Sequence, residues 1–301
     1  MVGAFVMDVK VAICGSLQPL PDLEAVLCCA LDHLEIAVGE GAKIIVLPDT
    51  CTTGYPVWSL QRRPGRQAAP RGLLHGQIRQ NAFNIASGDL DPICLFAATH
   101  EVVIVVGITE VDAAYSSTTK FSTNVIIGTD GCILNRHRKL LPADRDIIGQ
   151  DHGEAVGLKV VETPFGRIGT LACRERYLPL ARFALYAQNI DIFIVPSWES
   201  ADTWLASLGR IAREGGCWVL GSMAVGGETS SVVIKPYGEV ASGDEQAGHN
   251  IVYAMVDLKT VRVAISSQSA PGRFHPPQDS VTNGLRPLLP PIIFRDQKRA
   301  C

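Results

Sequence analysis

Several signatures are missing from this 301-residue chain, and each absence removes a class of function. No apolar run approaches the ~18 to 20 residues that span a bilayer, and no basic residue precedes the apolar stretch that begins the sequence. A cytoplasmic protein with no membrane partner is therefore expected. Neither sign of charge is in large excess: 27 Lys and Arg against 30 Asp and Glu leave a net charge of -3, with the cations scattered along the chain, so no nucleic-acid partner is expected. There is no CxxC pair, no HExxH and no Cys/His cluster, which argues against zinc. A GxGxxG or GKS/T loop is also absent, and with it the usual cradle for a dinucleotide or phosphate, so no cofactor is expected. No Ser/Gly-rich linker, abrupt charge shift or fixed-period repeat divides the sequence, which reads as one large α/β domain.

Cysteine, by contrast, is plentiful. The nine fall at Cys14, Cys28, Cys29, Cys51, Cys94, Cys132, Cys173, Cys217 and Cys301, an odd count without framework spacing. Most lie in apolar contexts such as VAICG and DPICLF, where a free thiol behaves as a small buried hydrophobe, and a reducing compartment is the simplest setting.

Strand and helix patterns alternate. Strands are expected over residues 9–14, 43–47, 102–106, 124–127 and 133–139, with Asp130-Gly131 as a hairpin turn between the last two. Asp22 should cap a helix whose apolar positions repeat at helical spacing up to Gly39. Further strands are expected over residues 167–172, 191–195, 217–221, 231–234 and 251–256, and Asp202 should cap a helix reaching about Glu214. Pro179 should open another, with Leu180, Phe183, Ala184 and Ala187 on its buried face. The runs KIIVL, EVVIVVG, IDIFIVP and CWVLG are apolar nearly throughout, which calls for sheets covered on both faces, and the hairpin makes those sheets mixed.

Three groups sit where strands end, the place at which ligands gather in α/β sheets. Asp49 follows a strand and a proline in GAKIIVLPDTCTTGYP; Lys139 ends the hairpin's second strand in NRHRKLLPADR, with Asp144 in the loop beyond; Cys173 lies at a strand-to-helix junction in GTLACRERYLPLAR. Taken singly, the aspartate also reads as a turn or cap residue, the lysine as a solvated charge and the cysteine as an inert buried thiol.

Together these segments resemble the nitrilase superfamily of carbon-nitrogen hydrolases, and the GYP after Asp49 with the C-x-E-x-x-x-P arrangement points to its nitrilase branch. The resemblance runs through the opening strand, the TGYP segment, HRKLLP, the Cys173 block through LARFALYAQ, REGGCWVLG and the PYGEV turn at Pro236. It implies a four-layer αββα sandwich of two mixed sheets flanked by helices. It also implies a homo-oligomer, and a small-molecule nitrile or amide as substrate. The domain itself would take residues 1–270, leaving a proline-rich tail over 271–301 as an interface or mobile segment.

Carried over position by position, Cys173 matches the family's nucleophile and Lys139 its lysine, while Asp49 stands where the family has a glutamate base. Asp144 stands where a second glutamate is often found. Glu175 and Pro179 keep their places, but Arg174 replaces the usual tryptophan. A guanidinium there would either depress the thiol's pKa or fill the space of an aromatic wall. Tyr55, Trp198 and Glu199 are candidates to line a substrate pocket. A nitrile carbon is a weak electrophile, so the attacking sulfur must be a thiolate, which a neighbouring carboxylate generates. The lysine ammonium then stabilises negative charge developing on nitrogen. The implied activity is nitrile hydrolysis to a carboxylic acid and ammonia. The alternatives are a pseudoenzyme of the same fold, suggested by the two aspartates, or an amidase of the superfamily.

Overall fold

The computed structural model describes residues 8–15, 22–48, 81–115, 119–142, 151–197, 201–223, 231–241, 244–246 and 250–266. Within them, β1 (Asp8–Cys14), α1 (Leu23–Gly39) and β2 (Ile44–Val46) are followed by α2 (Asp91–His100), β3 (Val103–Val111), β4 (Lys120–Ile127) and β5 (Ile133–Arg138). The second half contributes β6 (Val161–Thr163), β7 (Gly166–Thr170), α3 (Pro179–Tyr186), β8 (Ile192–Ser197), α4 (Ala201–Gly215) and β9 (Trp218–Met223). It closes with β10 (Val232–Ile234), β11 (Asp244–Gln246), β12 (Ile251–Asp257) and α5 (Leu258–Ser266).

The strands form two mixed sheets, one in the order β11-β12-β1-β2-β3-β4-β5 and one in the order β10-β9-β8-β7-β6. Strand alternation shows how they stack. In β1, Val9, Val11 and Ile13 point into a core shared with Ile168, Ile192, Ile194 and Leu220 of the other sheet, whereas Ala12 and Cys14 point the opposite way, onto α1 and α2. In β8 the same rule sends Ile192 and Ile194 inward and Phe193 and Val195 outward, onto α3 and α4. Both sheets are thus apolar on both faces, and the result is helix, sheet, sheet, helix, the four layers expected.

Local signals account for most of the boundaries. Asp22 caps α1, its Oδ1 accepting the Ala25 N–H at 2.8 Å. The β4–β5 hairpin turns at Asp130-Gly131: Gly131 has φ +78°, and a Cβ there would stand 2.7 Å from the Cys94 carbonyl, so glycine is required on both counts. The α4 helix begins at Ala201, one residue before the expected Asp202 cap. Pro179 does start α3, but the buried face is Ala181, Ala184, Leu185 and Tyr186, while Leu180 is 63% exposed. Alanine at 181 and 184 lets the helix lie close to the sheet, and that close approach sets the helix rotation, turning Leu180 outward. The α2 helix was not anticipated, although Asp91-Pro92 is a helix start. None of the described helices is long and apolar enough to cross a membrane.

The strand directions bring several chain ends to one rim. β1, β2 and β3 are parallel, and β5, separated from β3 by the antiparallel β4, runs the same way. In the other sheet β7, β8 and β9 are parallel. The two sheets are tied where strands terminate: Ser222 Oγ near the end of β9 donates to the carbonyl of Cys14 at the end of β1 at 2.9 Å, and Asn124 Nδ2 of β4 donates to Thr170 Oγ1 at the end of β7 at 2.9 Å. The carboxyl ends of β5 and β7 therefore face one another across the sandwich.

Candidate active site

Lys139 follows the last residue of β5. Alternation along this edge strand turns Asn135, His137 and Lys139 to the buried face and Arg136 and Arg138 to the other. The lysine backbone is held on both sides, its N–H by the Ser122 carbonyl at 2.8 Å and its carbonyl by the Gly153 N–H at 2.7 Å. Only 3% of Lys139 is exposed. On the opposite face, Arg136 and Arg138 pair with Glu110 and Asp112, and Arg138 lies over the Phe121 ring. This cluster braces β3, β4 and β5 against one another.

Cys173 opens a short turn of 3-10 helix, residues Cys173–Tyr177, just beyond β7. It is buried at 8% exposure and has φ +46°, the left-handed region that a side chain with a Cβ disfavours. Strain of this kind persists only where the surroundings impose it. Here two side chains of the same turn do so.

The first is Glu175. Its Oε2 accepts the Ala172 N–H at 2.9 Å and the His137 Nε2–H at 2.8 Å, and its Oε1 accepts the Leu140 N–H at 2.6 Å. One carboxylate thus binds the residue before Cys173 and the residue after Lys139. Burial by itself would push this carboxyl up; the facing His137 and the two backbone N–H groups outweigh it and hold the group below its ordinary value. An ionised carboxylate only accepts, so the proton between the two side chains sits on Nε2 of His137. Among the described residues, the ring's Nδ1 has no hydrogen-bond partner.

The second is Arg176, which is fully buried. Its NH1 donates to the Cys173 carbonyl at 2.8 Å and to Ser197 Oγ at 3.1 Å, and its NH2 donates to the Tyr177 hydroxyl at 2.7 Å. The guanidinium lies over the rings of Tyr177 and Trp204, at 4.3 and 4.7 Å from their centroids. Ser197, the last residue of β8, is 3.8 Å from the Cys173 sulfur.

The structure therefore brings Lys139, Cys173 and Glu175 to one rim. Arg174 is exposed, and the guanidinium that supports the Cys173 turn belongs instead to Arg176. Asp49, Asp144, Tyr55, Trp198 and Glu199 lie outside the described residues, although β2 ends three residues before Asp49 and β8 ends directly before Trp198. Sequence reasoning missed His137, Arg176 and Ser197. For His137 a signal was present: in NRHRK it lies two residues from Lys139 and so on the same strand face. All seven described cysteines are free thiols, and among the described residues no group of three His, Cys, Asp or Glu side chains could hold a metal ion.

The sequence profile of the carbon-nitrogen hydrolase family matches residues 10–265. Among similar curated proteins, the bifunctional nitrilase/nitrile hydratase NIT4A of Lupinus angustifolius is 29% identical over 85% of this chain and 80% of its own. The nitrilase blr3397 of Bradyrhizobium diazoefficiens is 27% identical over 81% of this chain and 82% of its own. Among solved structures, Nit3 of Saccharomyces cerevisiae, a member of branch 10 of the nitrilase superfamily, superposes with a TM-score of 0.69 at 18% identity, covering 92% of this chain and 97% of that one. An amidase from Nesterenkonia sp. superposes with a TM-score of 0.63 at 14% identity, covering 86% and 95%. The match along residues 10–265, on a two-sheet sandwich with a thiol and a lysine at one rim, makes this chain a member of the carbon-nitrogen hydrolase family, an enzyme of the nitrilase superfamily.

Proposed function

We propose that the enzyme hydrolyses a small organic nitrile to a carboxylic acid and ammonia, with Cys173 as nucleophile, Lys139 as the cation that stabilises charge on nitrogen and Asp49 as the acid and base. The observation that carries the reading is the Glu175 carboxylate, which joins the backbone beside Cys173 to the backbone beside Lys139. Its acceptor sites are committed to those N–H groups and to His137, so Glu175 positions the pair and leaves proton transfer to Asp49. Similarity to proteins named nitrilases supports a nitrile as the substrate.

In the first step Asp49 takes the thiol proton as sulfur attacks the nitrile carbon, and the same proton passes to nitrogen, giving a thioimidate. Lys139 donates to that nitrogen as its charge grows. One water adds to the thioimidate carbon and ammonia leaves, forming a thioester. A second water, deprotonated by Asp49, attacks the thioester carbon; the acid is released and the thiol is restored. Expulsion of sulfur after the first water would instead release an amide. In this reading Asp144 assists the proton relay, and Tyr55, Trp198 and Glu199 are the candidates for contact with substrate.

Ammonia release by the purified protein tests the proposal against aliphatic, aromatic and arylacetic nitriles and the corresponding amides, with Cys173→Ala as the blank. Ammonia from nitriles that depends on Cys173 is the expected result. Equal release by Cys173→Ala, or Cys173-dependent release from the amides alone, overturns it.

A further inference from the structure

Ser197 is fully buried, and two polar groups that face it among the described residues are of opposite kinds. Arg176 NH1 lies 3.1 Å from Ser197 Oγ, and Cys173 Sγ lies 3.8 Å from it on the other side. A guanidinium has donors only. The Arg176 N–H must therefore occupy a lone pair of Ser197 Oγ, and the serine hydrogen cannot turn toward the arginine. Among the described residues, the acceptor that the hydroxyl faces is the sulfur of Cys173.

Resting on the reading of Cys173 as nucleophile, we propose that Ser197 is a further catalytic residue: a hydroxyl donor, oriented by the buried guanidinium of Arg176, that stabilises the Cys173 thiolate. Arg176 is a positioning residue in this arrangement. The same NH1 that orients Ser197 also holds the Cys173 carbonyl at 2.8 Å, so one cation fixes both the direction of the hydroxyl and the left-handed backbone that presents the sulfur. Its own place is set by the Tyr177 and Trp204 rings and by Ser207 Oγ, 3.3 Å from Nε. A thiolate gains from this geometry more than a thiol does, because a hydrogen bond to an ionised acceptor is roughly twice as strong as one to a neutral acceptor. The neighbouring charged or titratable groups are distributed around the turn. Glu175, Arg174, Arg176 and Tyr177 belong to it; His137 and Lys139 come from the β5 side, Arg182 from α3 and Glu214 from α4. Of these, Glu175 is engaged by the Leu140 and Ala172 N–H groups and by His137, and Arg182 by Glu214 and the Arg176 carbonyl.

The test is the rate of Cys173 alkylation by iodoacetamide as a function of pH, followed by peptide mass spectrometry so that the other thiols are resolved. Wild type, Ser197→Ala, Ser197→Thr and Arg176→Lys are compared, with thermal melting as the folding control. Ser197→Ala should move the midpoint of the profile to higher pH, slow alkylation at neutral pH by about tenfold and lower kcat by a similar factor while KM changes little. Ser197→Thr, which keeps the hydroxyl, should restore the midpoint, and Arg176→Lys should fall between. A purely structural serine would change the melting temperature without moving the midpoint. An unmoved midpoint in folded Ser197→Ala overturns the proposal, whereas undiminished turnover by Cys173→Ala would overturn the underlying reading of the nucleophile instead.

Discussion

Glu175 and His137 share a hydrogen bond of 2.8 Å between two side chains with no solvent exposure, one from the turn that opens with Cys173 and the other from the strand that leads to Lys139. The pair joins the two halves of the site across the gap between the sheets.

Replacing Glu175 should damage both stability and turnover. In Glu175→Gln one acceptor oxygen becomes an NH2 group facing backbone N–H or His137, so a buried donor loses its partner; about 2 to 3 kcal/mol of stability should be lost at neutral pH. The pH dependence has a definite sign. Because the carboxyl is held below its ordinary value in the folded protein, its contribution is fully present above the unfolded value of 4.5 and disappears as pH falls through the lowered folded value. Denaturant unfolding of wild type and Glu175→Gln should therefore give a gap that is constant from neutral pH down to about 5 and closes in stronger acid. A gap that widens in acid would contradict the geometry.

Glu110 bears on the site from further away. Its fully buried carboxylate faces Arg138 and Arg136 and accepts the Thr123 hydroxyl at 2.7 Å. Glu110→Ala removes the fully buried carboxylate of the cluster and leaves Arg136 and Arg138 with Asp112 alone; because Asp112 remains and Arg136 is partly exposed, the loss should be about 2 to 3 kcal/mol, less than for an isolated buried pair. Since the cluster braces the strand carrying Lys139, kcat should fall as well. Hydrogen exchange of the β4–β5 amides should quicken more than that of β8 and β9. Equal quickening throughout would mean the cluster serves the whole fold rather than this edge.

The sequence carried part of the architecture because nearly every core strand is apolar on both faces, as Val11 and Ile13 on one side and Ala12 and Cys14 on the other show, so both sheet faces had to be covered; the stacking of two sheets into four layers came from the family resemblance. Helix ends were readable where a cap or proline marks them, as at Asp22 and Pro179. Rotation of a short helix was not readable: Leu180 and Ala181 both fit an apolar face, and only packing selects the smaller residue. In the candidate site, Lys139 and Cys173 could be named because they stand at strand ends inside segments that resemble the family's motifs. Arg176 could not, since a charged residue in a turn reads as solvated, and its burial depends on Trp204 and Ser197 arriving from later segments of the chain. Arg174 drew attention because it stands beside Cys173 where the family usually has tryptophan, but in a 3-10 turn adjacent residues point to different sides.

The aspartate at position 49 yields a prediction about length. If Asp49 is the acid and base of a pocket matched to its short side chain, Asp49→Glu carries the carboxylate forward by about one bond length, and a displacement of that order can lower the rate on the order of 10²-fold. Asp49→Asn, which keeps the size and removes the basicity, should abolish turnover. Steady-state ammonia release by the two variants checks both statements. A rise in activity in Asp49→Glu would show that the pocket still fits a glutamate.

The backbone at Cys173 supports a comparison that needs no substrate. At most buried positions glycine is less stable than alanine, because the unfolded chain gains more freedom. At φ +46° the order should reverse: alanine brings a Cβ into a left-handed conformation that disfavours it by roughly 1 to 2 kcal/mol, and glycine does not. Cys173→Gly should thus be more stable than Cys173→Ala by about 1 kcal/mol in denaturant unfolding, with both inactive. If alanine proves the more stable, the turn does not hold its first residue left-handed. The Arg176 contact to the Cys173 carbonyl would then not be imposing the strained conformation.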